Sequence, residues 1–210
     1  MIDIPNVTLV SFTINQNRDF FNTTVAVLRY MQSVARFGRM TFFTALLPKR
    51  RFPGVEVIVI PSSDKHIGLG YLLNVVLRYF VRTPFLMHCQ DDGFILDPSL
   101  WEQEFLKYDF IGAPWADGTV GNEGFSIQSQ KYLWARGQFV WDGVDGPDWF
   151  YCRTMREEML KLGITFAPTE VADRFSSELR NHDTPTFGYH GRGYSPEKHT
   201  IGQQIIQAYR

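Results

Sequence analysis

The segment Phe85-Leu86-Met87-His88-Cys89 is rich in large apolar residues and stops abruptly on Gln90-Asp91-Asp92-Gly93. A short run of that kind reads as a strand buried on both faces, which belongs inside a mainly parallel sheet covered by helices. Open sheets of this class bind ligands outside the carboxyl ends of their strands, so the two carboxylates fall where a ligand is expected. Hard divalent cations take carboxylate oxygens and complete their shell with substrate phosphates, which makes a nucleotide the natural partner of such a pair. An Asp-Asp-Gly step also serves as an ordinary solvated turn. The rest of the chain has to separate the two readings.

Hydrophobic patterning alternates between strand and helix periods in the first half. Val7 to Thr13 reads as a strand. Phe20 to Phe37, with Phe21, Val25, Leu28 and Met31 at helical spacing, predicts an amphipathic helix closed by Gly38. Met40 to Leu46 and Val55 to Ile60 are further strands, and Gly70 to Val81 predicts a helix that leads through Thr83-Pro84 into the Phe85 strand. The order β-α-β-β-α-β implies an α/β fold of Rossmann type, a mixed but mainly parallel sheet flanked by helices. It sets the ends of the Val7 and Phe85 strands on one edge as a crevice. In the second half the patterning predicts a helix over Pro98 to Lys107, short strands at Phe110 to Ala113 and Gly124 to Gln128, a long helix over Trp149 to Leu162, and a strand at Ile164 to Ala167. No composition break marks a linker, so the 210 residues read as a single domain in two halves, about 1–97 for the nucleotide and about 98–210 for the substrate.

Composition narrows the class. With 44% hydrophobic and 20% charged residues the chain can bury a globular core. A formal net charge of -1 argues against a nucleic-acid surface, which needs a basic excess. Cys89 and Cys152 lack metal-type spacing and read as buried reduced thiols of a reducing compartment. The apolar stretch Val7 to Ile14 is too short to span a membrane and follows Asp3 rather than a basic segment, so neither a span nor a signal peptide is expected. The expected location is the cytoplasm, unless the chain is one piece of a larger multidomain protein whose other parts do the targeting.

Four clusters carry candidate chemistry: Gln90-Asp91-Asp92-Gly93, Tyr108-Asp109-Phe110-Ile111-Gly112-Ala113-Pro114-Trp115, Val120-Gly121-Asn122-Glu123-Gly124-Phe125-Ser126, and Phe187-Gly188-Tyr189-His190-Gly191. In this order they resemble the nucleotide-sugar glycosyltransferases of the GT-A fold, and more narrowly a little-characterised family with Gln-x-Asp-Gly, Tyr-Asp-(Tyr/Phe)-Ile-Gly-Ala-Pro-Trp, Gly-Asn-Gly-Gly-Phe-Ser and a late Phe-Gly-(Phe/Tyr)-His-Gly. The resemblance implies transfer of a sugar from a nucleoside diphosphate donor, UDP favoured, to a hydroxyl of a glycan or other acceptor. It also implies a divalent metal, manganese or magnesium. The metal-binding Asp-x-Asp of such enzymes falls on Gln90-Asp91-Asp92. Asp92 is then the direct ligand, Gln90 a weak one, and Asp91 faces the ribose or a metal-bound water. The late histidine that acts as a second ligand falls on His190, and manganese accepts its nitrogen more readily than magnesium does.

The resemblance also assigns supporting residues. The strand end Ser11-Phe12-Thr13 would meet the base. The segment Gly68 to Asn74, with Gly70 and Asn74, would contact base and sugar, and the loop through Gly124 would cup the donor sugar. Glu123 replaces a glycine of the family pattern and brings a carboxylate toward the sugar. Asp148 stands where inverting enzymes carry their general base, although a carboxylate there also suits a helix start. Trp115 and Trp149 offer apolar faces to a sugar ring or serve as core. Two other classes stay open: a metal-dependent phosphoesterase using Asp91, Asp92 and His190, and a non-catalytic nucleotide-sugar-binding module, suggested by Gln90 in place of an acid. The donor sugar, the acceptor and the stereochemical outcome are not encoded in these motifs.

Overall fold

A computed structural model gives the structure of residues 1–14, 16–49, 51–61, 70–141, 143–180, 184–191 and 196–209. Strand β1 (Ile2–Thr13) leads into helix α1 (Arg18–Val34), followed by β2 (Ala35–Thr44) and β3 (Glu56–Val59). Asn17 starts α1 by accepting the N–H groups of Asp19 and Phe20 at 3.0 and 3.1 Å. The helix ends before the predicted Phe37 because Ala35, Arg36 and Phe37 pair with Ile2, Asp3 and Ile4 of β1. Gly38 is therefore no helix stop. It sits where a Cβ would lie 2.0 Å from the Pro5 carbonyl oxygen.

A wide helical turn, Leu72–Val76, runs into α2 (Leu77–Phe80), and β4 (Phe85–Cys89) then lies parallel to β1, with Val7 opposite Phe85 and Val10 opposite His88. This register ends both strands on one edge, as the sequence predicts. Next come β5 (Gly93–Ile95), β6 (Phe110–Gly112), β7 (Phe125–Ser129) and α3 (Gln130–Arg136). The main sheet is mixed, in the order β3-β2-β1-β4-β7-β6, with β7 antiparallel to both of its neighbours. Helices cover both faces. Leu9, Phe42 and Met87 pack with Phe21, Leu28 and Met31 on one side, while Val10, Phe43 and Leu86 pack with Leu72, Leu73 and Leu77 on the other. Each such fully buried side chain contributes about 1.5–3 kcal/mol relative to exposure.

Three predicted elements come out differently. Pro98 to Lys107 is not one helix but two tight turns, Pro98–Leu100 and Gln103–Lys107, with Trp101 and Glu102 extended between them so that Trp101 packs on Phe105 and Phe187. The long helix over Trp149 to Leu162 is broken into α4 (Pro147–Trp149), a wide turn Phe150–Thr154 and α5 (Arg156–Lys161). The wide turn lets three consecutive residues, Phe150, Tyr151 and Cys152, all be buried, which a regular amphipathic helix does not allow. Ile164 to Ala167 provides only a bridge between Phe166 and Phe110.

The chain continues through α6 (Thr169–Phe175), β8 (Ser176–Ser177), β9 (Gly188–His190) and α7 (Pro196–Tyr209), and β5, β9 and β8 form a second small sheet. The whole is a single mixed α/β domain. Among the described residues no helix is long and apolar enough to cross a membrane.

Candidate active site

The site is built by two strand registers. At the end of β4 the backbone N–H of Gln90 donates to the Gly124 carbonyl at 2.9 Å, which holds the loop before β7 against the Gln90-Asp91-Asp92 turn. In the small sheet Gly93 lies opposite His190, so the residue before Gly93 meets the histidine. His190 Nε2 lies 3.2 Å from Gln90 Oε1 and 3.5 Å from Asp92 Oδ1. On the far side of the ring Nδ1 lies 3.2 Å from Glu178 Oε1, an ion-pair contact off the hydrogen-bonding direction of the nitrogen. Burial alone would lower the His190 pKa, but the carboxylates of Asp92 and Glu178 on either side hold it up at about 9. The ring lies so close to Gly124 that a Cβ there would stand 2.0 Å from Nε2, and glycine is required for that reason.

The loop before β7 is tied to the same centre. Asn122 Nδ2 donates to Glu178 Oε2 at 2.7 Å, and Asn122 Oδ1 accepts the Gly124 N–H at 2.9 Å. The Glu123 carbonyl accepts from His88 Nδ1 at 2.7 Å. That bond fixes the tautomer of His88, whose burial pulls its pKa down to about 3 and keeps it neutral. Gly112 lets the Asn122 carbonyl approach to where a Cβ would be only 1.9 Å away.

Sequence reasoning gave Glu178 no role. It belongs to none of the four clusters, and nothing local marks a lone Glu after Ser176-Ser177. Arg136 and His88 were likewise missed, each hidden in an apolar segment.

The remaining candidates divide. Asp148 lies in the first turn of α4, one residue past Pro147, while Gly146 takes the cap position; its Oδ1 accepts the Trp149 N–H at 2.9 Å. Burial pushes its carboxyl above the usual range, the charge of Glu178 adding to the effect and His190 opposing it, which places Asp148 within electrostatic reach of both. Glu123 is buried and committed to Arg136, with Nη1 to Oε1 at 3.1 Å and the Tyr132 hydroxyl donating to the same oxygen at 3.3 Å. Arg136 in turn lies over the Tyr151 ring at 4.3 Å. This pair anchors the loop from beneath.

Asp91, together with Asp92, Thr23, His199 and Gln203, lines a cavity of about 470 Å³ between the turn and helices α1 and α7. Of the β1 end, Ser11 and Thr13 are buried, Thr13 donating to Thr44 Oγ1 at 2.9 Å. Phe12 is half-buried and stacked flat on His88, centroids 4.6 Å apart. Asn74 Oδ1 accepts the Tyr151 hydroxyl at 2.6 Å, and Gly70 lies under the Trp141 ring, while Gly68 and Leu69 fall outside the described residues. Trp115 is core, whereas Trp149 beside it is 41% exposed.

The donors around His190 Nε2 suit a divalent cation. In an octahedral shell with bonds of 2.0–2.1 Å neighbouring ligands are about 3 Å apart. The 3.2 and 3.5 Å separations of Nε2 from Gln90 Oε1 and Asp92 Oδ1 lie close to that spacing. Among the described residues no three His, Cys, Asp or Glu side chains converge as a protein-only cage. Any cation held here would thus take a carboxylate, an imidazole and an amide oxygen from the chain, and the rest of its shell from phosphate or water.

Solved structures with a similar fold include two described as glycosyltransferases. A glycosyltransferase involved in glycosylation of the major capsid of PBCV-1 matches with a TM-score of 0.54 at 12% identity, over 94% of this chain and 98% of that one. The apo-form glycosyltransferase GlyE of Streptococcus pneumoniae TIGR4 matches with 0.58 at 9%, over 95% of this chain and 59% of that one. HddC from Yersinia pseudotuberculosis matches with 0.52 at 12%, over all of both chains. At such identities the likeness is one of fold alone. By sequence, the chain belongs to the DUF5672 family, proteins of unknown function, whose model matches residues 75–190, more than half its length. No curated protein matches it in sequence.

Proposed function

We propose that this protein is a metal-assisted glycosyltransferase that moves a sugar from a nucleoside diphosphate donor, with UDP favoured, to an acceptor hydroxyl. The observation that carries the reading is the meeting of Gln90 Oε1, Asp92 Oδ1 and His190 Nε2 at the carboxyl edge of β4. A bound manganese or magnesium ion supplies charge stabilisation for the departing diphosphate, worth several kcal/mol. The chain's own part is positioning. Asp92, His190 and Gln90 would hold such an ion beside the diphosphate end of the donor, and Phe12, at the end of β1, offers a ring face beside the base. The Gly124 backbone borders the sugar. Asp148, its basicity raised by burial, takes the proton of the acceptor hydroxyl if configuration inverts. In this reading Glu123 keeps the loop in place as the counter-ion of Arg136 rather than touching the sugar. A two-metal phosphoesterase would need more acidic and imidazole ligands than converge among the described residues.

The test is hydrolysis of a panel of nucleotide sugars with and without manganese, together with thermal protection by UDP. Asp92→Ala should abolish manganese-dependent protection, and Asp91→Ala should weaken it less, since it is Asp92 that meets His190. Equal loss from both would refute the assignment of Asp92 as principal ligand, and phosphate release from simple phosphoesters would favour the hydrolase.

A further inference from the structure

Starting from His190, the polar contacts of the site close into a ring of residues. Nδ1 meets Glu178 Oε1 at 3.2 Å, Glu178 Oε2 accepts from Asn122 Nδ2 at 2.7 Å, and Asn122 Oδ1 accepts from the Gly124 N–H at 2.9 Å. The Gly124 carbonyl accepts the Gln90 N–H at 2.9 Å, and Gln90 Oε1 returns to Nε2 at 3.2 Å. Glu178 is 8% exposed, and its outer oxygen is pinned by the amide of Asn122, itself 4% exposed. A carboxylate so deeply placed is costly unless its partners are fixed. Here one oxygen is held by the Asn122 amide of the loop before β7, and the other stands 3.2 Å from Nδ1 as an ion-pair contact.

We infer that Glu178 is a positioning residue for His190: held by Asn122, it keeps a proton on Nδ1 and so presents Nε2 as the lone pair toward Asp92, ready for a divalent cation. It rests on the metal-assisted reading of the site. Carboxylates behind metal-bound histidines do this work generally, and their loss costs roughly ten- to a hundredfold in metal affinity. Glu178 acts through the histidine alone, because its own oxygens lie on the side of the ring opposite Asp92.

The test is a double-mutant cycle on Mn²⁺ binding, read by the loss of the free-ion electron paramagnetic resonance signal, without nucleotide or turnover. Thermal melts in EDTA establish that each variant is folded. Glu178→Gln, which keeps the shape and can still accept from Asn122, should raise the Mn²⁺ dissociation constant by roughly ten- to a hundredfold. In a His190→Ala background the same substitution should change it no further, since a residue acting through another has nothing left to act on. If Glu178→Gln melts too early to assay, Asn122→Ser, which removes the amide that pins the carboxylate but leaves its charge, should shift affinity in the same direction by less. Unchanged affinity in Glu178→Gln, or an equal loss with and without His190, overturns the assignment while leaving the metal site standing. A wild-type protein that leaves millimolar Mn²⁺ unbound overturns the metal reading and this inference with it.

Discussion

At the scale of single residues the site depends on atoms that are missing as much as on those present. Gly124 leaves the volume that His190 occupies, so Gly124→Ala puts a methyl group 2.0 Å from Nε2 and must push the ring off its position. The expected outcome is a weakened Mn²⁺ affinity with a loss of fold stability of only about 1–3 kcal/mol, the usual range for overpacking. Calorimetric titration and a chemical melt measure the two separately, and intact metal affinity would refute the requirement. Asp148 tests the chemistry. Asp148→Asn preserves the first-turn geometry of α4 while removing the basic oxygen, so UDP affinity should hold while transfer slows by roughly a hundredfold or more. Near-normal turnover would mean that the residue serves α4 alone and would point to a retaining reaction or to Glu123.

Elements were legible where their pattern was long or ended sharply. The β4 run and its two terminal carboxylates located the edge of the sheet, and the glycines around Gly124 marked the loop that packs there. The small sheet was not legible, because β5, β8 and β9 span only two or three residues each and carry no period. Without that sheet nothing in the sequence places Glu178 beside His190. The predicted helices over Pro98 to Lys107 and Trp149 to Leu162 failed where tertiary burial of Trp101 and of Phe150 to Cys152 overrode helical spacing.

Asp109, quoted above only as part of a motif, turns out to join elements. It accepts from Ser129 Oγ at 2.7 Å at the start of α3, and from the Thr165 N–H and hydroxyl at 2.9 and 3.0 Å beside the Phe166 bridge. Burial would raise its pKa, but these donors and Lys131 outweigh burial and hold it below the usual 3.8. A depressed carboxylate contributes stability above its unfolded pKa and loses it as the pH falls through the folded value. Asp109→Asn should therefore cost about 1.5–3 kcal/mol at pH 7. The gap from wild type should begin to narrow below about pH 4, near the unfolded carboxylate pKa, and close only below the lower folded value. Denaturant melts across that range give the answer, and a pH-independent gap would contradict it.

For the molecule as a whole, ligand and fold are linked. With Mn²⁺ present, UDP at a hundred times its dissociation constant should add about 2.7 kcal/mol to stability. For a chain of this length that is a rise of roughly 5–10 °C in the melting temperature. UDP without metal should give little of it, and protection equal with and without Mn²⁺ would argue against a metal-held diphosphate. The ring from Gln90 through Asn122 and Glu178 to His190 also sets an order of events during synthesis. Strands β1, β2, β3 and β4 can pair as soon as they leave the ribosome, yet the charge of Asp92 meets its imidazole only once residue 190 has emerged and β9 has docked on β5. Until then Gln90, Asp92 and His190 have not met, so on the proposed reading the growing chain cannot hold a nucleotide sugar before the fold that confines its chemistry is complete.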